Sequence, residues 1–589
     1  PHQRLEREKL VAAVAHKLAA GLAAPAAAAD LVRDMAFTAL NRFVALRMLE
    51  ARELVQECIA RGDQSAGFKE FCLLAPGLAL LPDRAGYRLY LECLFDELST
   101  EVKVLFDRRD LASVLWPRRE TFDAVLAALA APELAGVWRE DETIGWVYQY
   151  FNGQEERRAM REASAAPRDS RELAVRNQFF TPRYVVEFLT DNTLGRIWYE
   201  MRRGTTRLVE QCAYLVRRPG EIFLAKGEKP PAEASSGSAP VPHRAPKDPR
   251  DLRVLDPACG SGHFLLYAFG LLLAIYEEAW SDPEAPASAA TGKPLREDYA
   301  TLDDLRRAAP GLILRHNLHG VDIDPRCSQI AALALWMRAQ RAYKEAGIGR
   351  AARPPITRTN IVTAEPLAAD AATLDAFAAT LEAPVLGKLV KAIAARFALA
   401  GELGLLLRVE QVMRDAVAEA VGQREIDFTG ADRGHVALHE VEQRLEAALR
   451  AFAASSDAPE RARRRLFRDD AEHGLALLET AGQKYDAVLM NPPFGACSAG
   501  ARRDFERAYP RTKNDIFAAF VERGIELLTS RGRVGAITSR TGFFLSSFQK
   551  WREEVLLQLA PPAVVADLGV GVLDSAMVET AAYCLESKR

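Results

Sequence analysis

The fold class is decided by residues 253–279, RVLDPACGSGHFLLYAFGLLLAIYEEA. A short apolar run typical of a strand ends at Asp256, a glycine-rich turn follows with Gly260 and Gly262, and a long apolar stretch typical of a helix begins at His263. Glycine lets the backbone approach a ligand closely, and a helix N-terminus presents free N–H groups. The segment therefore predicts a ligand site at the end of a strand, although a purely structural turn would give the same local pattern.

Three later segments repeat this texture of a short aliphatic run that ends in turn residues: NLHGVDIDP (317–325), YDAVLMNPPFG (485–495) and GRVGAITSR (532–540). Helical patterns separate them, and strand and helix in alternation predict an α/β fold with a mostly parallel, doubly wound sheet. Asp322 ends the first of these three runs. An acidic side chain at that position can accept hydrogen bonds from both hydroxyl groups of a ribose.

The tetrapeptide Asn491-Pro492-Pro493-Phe494 directly follows another predicted strand. Its two prolines fix an extended turn and remove two backbone N–H donors. The Asn491 amide oxygen and the Pro492 carbonyl can accept both hydrogens of an exocyclic amine, while the Phe494 ring can stack on a planar base. A proline turn that merely ends a strand is the alternative, and the position after two ligand-binding motifs disfavours it.

Helical patterns also surround the α/β segments. Residues 1–165 predict a helical N-terminal domain, and the α/β domain would then occupy residues 166–589. Within it, residues 227–250 are rich in Pro, Ser, Gly and Ala and predict a flexible loop. Residues 368–480 interrupt the strand-and-helix rhythm and predict a helical insertion.

Charge and cysteine content restrict the class of protein. The 589-residue chain has 77 Lys and Arg against 80 Asp and Glu, a net charge of −3 that gives no basic excess for binding nucleic acid. Residues 501–560, however, hold eleven basic and seven acidic residues, a local +4. None of the eight cysteines forms a CxxC pair, and His435 and His439 lack a third ligand, so no metal is expected. A polar N-terminus and the lack of a long apolar run predict a cytoplasmic protein without a membrane span.

Taken together, the motifs resemble a known family. The D-P-x-x-G-x-G pattern of residues 256–262 is similar to motif I of S-adenosylmethionine-dependent methyltransferases, and N-P-P-F after it is the motif order of γ-type N6-adenine DNA methyltransferases. The resemblance implies a Rossmann-like methyltransferase with a seven-stranded sheet and S-adenosylmethionine as cofactor. Segments EDETIGWVYQYFN (140–152) and DLGVGVLDSAMVETAAYCLE (567–586) resemble the large methyltransferases of phage-defence systems (BREX and DISARM) and of type II restriction-modification enzymes.

Further segments carry the family's site residues onto this chain. NQFFTPRYVVEFL (177–189) resembles motif X, NIVTAEPL (360–367) the third-strand motif, TKNDIFAAF (512–520) motif V, and residues 537–556 a segment that packs an aromatic ring on the target base. The resemblance implies Phe494 and Phe548 as base-stacking residues, with Phe543 and Phe544 as alternatives, and Asn491, Pro492, Pro493 and Phe494 as catalytic residues. It implies as cofactor-binding residues Phe180, Thr181, Pro182, Asp256, Ala258, Gly260, Gly262, Asp322, Ile323, Glu365, Asn491 and Asp515.

The implied activity is methylation of adenine N6 in double-stranded DNA by base flipping, in order to mark host DNA in a restriction or phage-defence system. Other defence subunits or a specificity subunit are candidate partners, and we expect weak DNA affinity from this chain alone. Two alternatives stay open: a methyltransferase for another planar amine, on RNA guanine or protein glutamine, and a non-catalytic subunit that senses cofactor or DNA.

Overall fold

The computed structural model describes residues 2–19, 22–229, 239–356, 358–367, 371–381, 397–411, 458–573 and 578–588, with a few single residues between 387 and 452. The expected insertion at 368–480 is therefore described only in part. His435 and His439 lie outside the described residues.

The N-terminal part is helical, as its spacing of apolar residues predicts. Phe43 lies at the centre of an aromatic core, with its ring centroid 5.2 Å from that of Phe122 and 5.5 Å from that of Trp116. The helices are α1 (His2–Ala19), α2 (Ala24–Ala51), α3 (Ala66–Leu74), α4 (Ala85–Leu98), α5 (Lys103–Phe106), α6 (Arg119–Leu129), α7 (Thr143–Phe151), α8 (Gln154–Ala163) and α9 (Ser170–Arg176).

Helices and strands alternate in the following part of the chain. The strands are β1 (Glu221–Phe223), β2 (Ala239–Val241), β3 (Val254–Asp256), β4 (Leu318–Asp322), β5 (Asn360–Thr363), β6 (Tyr485–Met490), β7 (Leu528–Ser539), β8 (Pro562–Gly569) and β9 (Thr580–Glu586). The helices are α10 (Arg183–Thr190), α11 (Arg196–Met201), α12 (His263–Ser281), α13 (Leu295–Asp298), α14 (Leu302–Leu312), α15 (Pro325–Glu345), α16 (Ala371–Thr380), α17 (Ala400–Leu403), α18 (Ala458–Gly482), α19 (Arg502–Ala508) and α20 (Ile516–Glu526).

A seven-stranded sheet in the order β5-β4-β3-β6-β7-β9-β8 forms the centre of the α/β part. The five strands from β5 to β7 run parallel, whereas β9 pairs antiparallel with both β7 and β8. The prediction of a mostly parallel α/β sheet is thus confirmed, with a mixed edge. All six residues of β6 are buried, which explains why its sequence is mostly apolar without alternation, Asp486 being the exception.

One short strand lies where a loop was expected. Within the predicted loop at 227–250, β2 pairs in parallel with β1 and so forms a separate two-stranded sheet. The Pro and Ser content of this segment concealed the strand, because a strand of three residues has too few positions to show a period.

Helix α12 packs against β3 and β4 of the sheet and against α15. A Cβ atom at Gly262, directly before α12, would lie 3.2 Å from the Cβ of Ala331, so glycine permits a close helix contact there. Within the described part of the chain, α12 is long and apolar enough to cross a bilayer, and two bent helix pairs would add to it if each were one span. In the structure, most of the apolar side chains of α12 are buried in the core, which accounts for its composition.

Candidate functional site

A cavity of about 140 Å³ lies at the C-terminal ends of β3, β4 and β6 and opens to solvent. Because β3 is flanked by β4 on one side and β6 on the other, this is the place where crossover connections diverge and where open α/β sheets bind ligands. Many of the residues that the sequence predicted line the cavity: Phe180, Thr181, Asp256, Ala258, Gly260, Asp322, Ile323, Asn491 and Pro493.

The glycine-rich turn after β3 forms part of the cavity wall. Gly260 has a φ of +52°, and a Cβ atom added there would have no atom within 4 Å, so its missing side chain leaves open space. The N–H of Gly260 donates to Asp322 Oδ2 at 2.8 Å, and Asp322 Oδ1 accepts the N–H of Asp324 at 2.9 Å. Asp322 therefore joins the turns after β3 and β4, in addition to the role that the sequence predicted.

Burial makes these carboxyl groups unusual. Burial raises the pKa of Asp322 to about 6 and raises that of Asp256, which accepts the N–H of Ala258, well above its ordinary value. Asp324 behaves differently: burial would raise its pKa too, but the Arg326 guanidinium at 2.8 Å lowers it. Asp256 and Asp322, which line the cavity, thus have raised pKa values, whereas Asp324, which does not line it, has a lowered pKa.

The tetrapeptide Asn491-Pro492-Pro493-Phe494 is hydrogen-bonded to residues 177–181. Asn491 Nδ2 donates to Thr181 Oγ1 at 3.0 Å and to the Phe179 carbonyl at 3.3 Å. These bonds orient the amide so that Asn491 Oδ1 is available as an acceptor for a ligand. The N–H of Phe494 in turn donates to Asn177 Oδ1 at 2.9 Å, so two amide side chains hold the turn in place.

Asp515 supports the turn from behind. It caps the N-terminus of α20, where its carboxylate accepts the N–H of Phe517, and the same oxygen accepts the N–H of Gly495 at 2.9 Å. Burial raises the pKa of Asp515 to about 7. Asp515 does not line the cavity, whereas the neighbouring Ile516 does.

Several predicted residues lie elsewhere. Phe548, only 6% exposed, stacks on Phe517 at a centroid distance of 5.3 Å, so stacking on a target base would require it to leave the core. Glu365 does not line the cavity, and its carboxylate lies 3.0 Å from His473 Nδ1. Burial would raise the pKa of Glu365, but the contact with His473 outweighs it and lowers the pKa. Four further predicted residues are absent from the lining: Pro182, Gly262, Pro492 and Phe494.

The sequence missed the contribution of α7. Gly145, Tyr148 and Gln149 of this helix line the cavity, together with residues 402–404 from the region of the predicted insertion. Tyr148 donates to Asp324 Oδ2 at 2.7 Å, and a Cβ atom at Gly145 would lie 2.6 Å from Ser261 Oγ. The segment 140–152 had family similarity, but no residue in it signalled contact with the glycine turn.

The cavity presents hydrogen-bond acceptors and open space to a ligand. Asp322 supplies an acceptor for hydroxyl groups, Gly260 leaves space beside it, and Gln149 Oε1 is a buried acceptor with no hydrogen-bond partner among the described residues. Also within these residues, no group of three or more His, Cys, Asp or Glu side chains is arranged to hold a metal ion.

Known proteins match this chain over the same region. The model of the Eco57I restriction-modification methylase matches residues 316–560, and that of the MmeI DNA-methyltransferase domain matches residues 247–375. A solved structure of the type IIL restriction-modification enzyme MmeI in complex with DNA covers 94% of this chain and 57% of that chain, at 13% identity and a TM-score of 0.42.

Two curated relatives extend over most of the chain. The adenine-specific methyltransferase BrxX of Escherichia coli O9:H4 (strain HS) is 27% identical over 530 residues, which are 86% of this chain and 38% of BrxX. The adenine-specific methyltransferase PglX of Lacticaseibacillus casei (strain Zhang) is 24% identical over 599 residues, which cover 95% of this chain and 44% of PglX. This chain thus spans less than half the length of either relative. The resemblance predicted from the motifs is confirmed: models of two restriction-modification methyltransferases match parts of this chain, and both relatives are adenine-specific methyltransferases.

Proposed function

We propose that this chain transfers the methyl group of S-adenosylmethionine to N6 of adenine in double-stranded DNA. The observation that carries the proposal is the position of Asn491, whose amide is held by Thr181 at the edge of a cavity that also contains Gly260 and Asp322. The names of BrxX and PglX, both adenine-specific methyltransferases, support the choice of base.

The cofactor would extend along the cavity from the turns after β3 and β4 to the motif X segment. Asp322 would accept hydrogen bonds from the ribose hydroxyls, and residues 180–182 would contact the methionine end. When bound, S-adenosylmethionine supplies a methyl group on a sulfonium, a good leaving group. The other cofactor-binding predictions, including Glu365 and Asp515, remain proposals. The domain limits 1–165 and 166–589 and the Rossmann-like methyltransferase fold are also proposals.

The residues after β6 would position the adenine amine. Asn491 Oδ1 and the Pro492 carbonyl would accept its two hydrogens, hold N6 in line with the methyl group and favour the positive charge that develops on nitrogen. Base flipping costs a few kcal/mol, and stacking on Phe494 would offset about 1–3 kcal/mol of that. For stacking, Phe494 is better placed than Phe548, because its ring is only half buried.

We further propose that the chain acts in the cytoplasm and marks host DNA within a restriction or phage-defence system. Double-stranded DNA would be its substrate. Other defence subunits or a specificity subunit would be its partners. The local charge of +4 over residues 501–560 would favour DNA phosphates near the proposed catalytic segment, through the residues other than the buried Arg523 and Arg533.

The acceptor can be identified with tritiated S-adenosylmethionine. Equal amounts of unmethylated duplex DNA, transfer RNA and a protein extract would be incubated with the chain, separately and in competition. We expect transfer to duplex DNA. Transfer only to RNA or protein would support another planar amine as substrate, and no transfer in the presence of tight cofactor binding would support a sensing subunit; either result contradicts the proposal.

A further inference from the structure

Gln149 in α7 has a buried acceptor that no protein group satisfies. Its side chain lines the cavity and is 4% exposed, and its Oε1 atom has no hydrogen-bond partner among the described residues. Buried polar groups in folded proteins are nearly always paired, because an unpaired one loses its hydrogen bonds to water. An unpaired acceptor in a cavity wall therefore points to a ligand that supplies the donor.

The position of Gln149 along the cavity follows from its neighbours. Gln178 Nε2 donates to the Tyr148 carbonyl at 3.0 Å, and Asn152 Nδ2 donates to Gln178 Oε1 at 3.1 Å. These bonds join the end of α7 to the segment that leads into Phe179 and residues 180–182. Gln149 therefore lies beside the part of the wall that the proposed function assigns to the methionine end of the cofactor.

Other contacts hold α7 in a fixed position. Tyr148 donates to Asp324 Oδ2 at 2.7 Å, and the rings of Trp146 and Phe180 stack at a centroid distance of 4.1 Å. The Arg157 guanidinium donates to the Gln149 carbonyl at 3.3 Å. The amide oxygen is thus presented by a rigid helix, so little conformational entropy is lost when a ligand binds.

We infer that Gln149 binds the cofactor by accepting a hydrogen bond from its α-ammonium group. The inference rests on the proposed function, since it takes the ligand to be S-adenosylmethionine. An ammonium group is a donor without acceptor capacity, and an amide oxygen can accept from it without placing another negative charge beside Asp256 and Asp322. The helical N-terminal region would then contribute directly to cofactor recognition.

The test compares S-adenosylhomocysteine with its desamino analogue by isothermal titration calorimetry on the full chain. We expect the wild type to bind S-adenosylhomocysteine at least about tenfold more tightly, because a hydrogen bond to a charged group is a strong one. The Gln149→Met variant keeps the side-chain length but has no amide acceptor, and we expect it to lose most of this preference. Gln149→Glu keeps an acceptor and is expected to retain the preference.

Stability measurements separate this role from a structural one. Removal of an unpaired buried acceptor leaves the urea midpoint of ligand-free Gln149→Met unchanged or raises it. Asn41→Leu is the matched control: Asn41 is fully buried in α2, both its side-chain polar atoms have no partner among the described residues, and it does not line the cavity. We expect this control to bind both compounds like the wild type.

Several results would overturn the inference. If Gln149→Met kept the wild-type ratio of the two affinities, or weakened both equally, the amide would not recognise the ammonium group. If Gln149→Met instead lost a wild-type preference for S-adenosylhomocysteine over its decarboxylated analogue, the amide would face the carboxylate and not the ammonium group. A wild type that methylates DNA but shows no preference contradicts only this inference, whereas a wild type that binds neither compound contradicts the proposed function as well.

Discussion

Gly260 combines a left-handed backbone with open space where a side chain would lie. Its φ is +52°, and an added Cβ atom would meet nothing within 4 Å. We expect Gly260→Ala to lower the free energy of unfolding by about 1–2 kcal/mol, the usual penalty for this conformation. We also expect it to weaken binding of S-adenosylhomocysteine, because the new methyl group occupies the cavity. Urea denaturation and calorimetry measure the two effects.

Gly292→Ala is the control for that prediction. Gly292 has a φ of +68° and equally free surroundings, but it lies outside the cavity. The same loss of stability with unchanged ligand binding is expected. Equal binding losses in both variants would mean that Gly260 acts only through the stability of the fold.

Asp322 gives ligand binding a defined pH dependence. Burial raises its pKa from 3.8 to about 6, so the protonated group favours the ligand-free fold, and this contribution to stability is lost as the pH rises through about 6. The ionised carboxylate is the stronger acceptor for hydroxyl groups. We therefore expect affinity for S-adenosylhomocysteine to increase as the pH rises through about 6, and calorimetry between pH 5 and 8 measures it.

Asp322→Asn cannot titrate and should bind weakly with little pH dependence over the same range. A wild-type affinity that stays constant between pH 5 and 8 would show that Asp322 is already ionised at the lower limit. A pH dependence that survives in Asp322→Asn would assign the titration to another group, such as Asp256.

Of the predicted site residues, those at strand ends line the cavity. Asp322 ends a parallel strand, Asn491 directly follows one and Gly260 lies in the turn after another, so the topology brings them to one edge of the sheet. Phe548 was harder to place because its segment holds three phenylalanines. Phe548 is buried and Phe544 is 69% exposed, a difference set by packing against Phe517 and not by sequence spacing.

At the scale of elements, sequence periodicity predicted α7 as a helix but not what it contacts. Tyr148 is 176 positions from Asp324, and Glu365 is 108 positions from His473. Contacts over such separations depend on how helices pack on the sheet, which a local pattern cannot encode. This is why the wall formed by α7 and the pairing of Glu365 became visible only in the structure.

Glu200 in α11 joins several elements through a buried ion cluster. Its carboxylate lies 2.8 Å from Arg533 of β7 and 2.9 Å from both Arg244 and Arg196. Burial alone would raise its pKa, but the three arginines lower it to about 2. We expect Glu200→Gln to lower the free energy of unfolding by about 3–5 kcal/mol at pH 7, because the buried arginines would then share only Glu221 and Glu586. Urea denaturation measures this.

The pH dependence of this cluster has the opposite sign to that of Asp322. Because folding lowers the pKa of Glu200 from 4.5 to about 2, its stabilisation is present above pH 4.5 and is lost as the pH falls toward about 2. The wild type and Glu200→Gln should therefore differ less in stability in acid. Glu345→Gln, which disrupts an exposed pair with Arg341, is the control and should cost less than about 1 kcal/mol. An effect of Glu200→Gln no larger than the control's would mean that the arginines find other partners.

For the whole molecule, the net charge does not show how charge is distributed along the chain. A net charge of −3 for the chain coexists with a local +4 over residues 501–560, so an average over both parts does not predict DNA contact.

The fold class was predictable because strand ends carry recognisable turns. The antiparallel edge formed by β8 and β9 was not predictable from the sequence. The direction of a strand depends on the segment that connects it to its neighbour, and a short apolar run does not indicate that direction.

The proposed methylation of adenine N6 depends on Asn491. The most direct test is mass spectrometry of nucleosides from adenine-unmethylated bacterial DNA after incubation with S-adenosylmethionine and either the wild type or Asn491→Ala. We predict N6-methyldeoxyadenosine with the wild type and at least about 100-fold less with the variant, because a positioned group that stabilises the transition state is lost. Methylated cytosine, or equal N6-methyldeoxyadenosine from both proteins, would contradict the account.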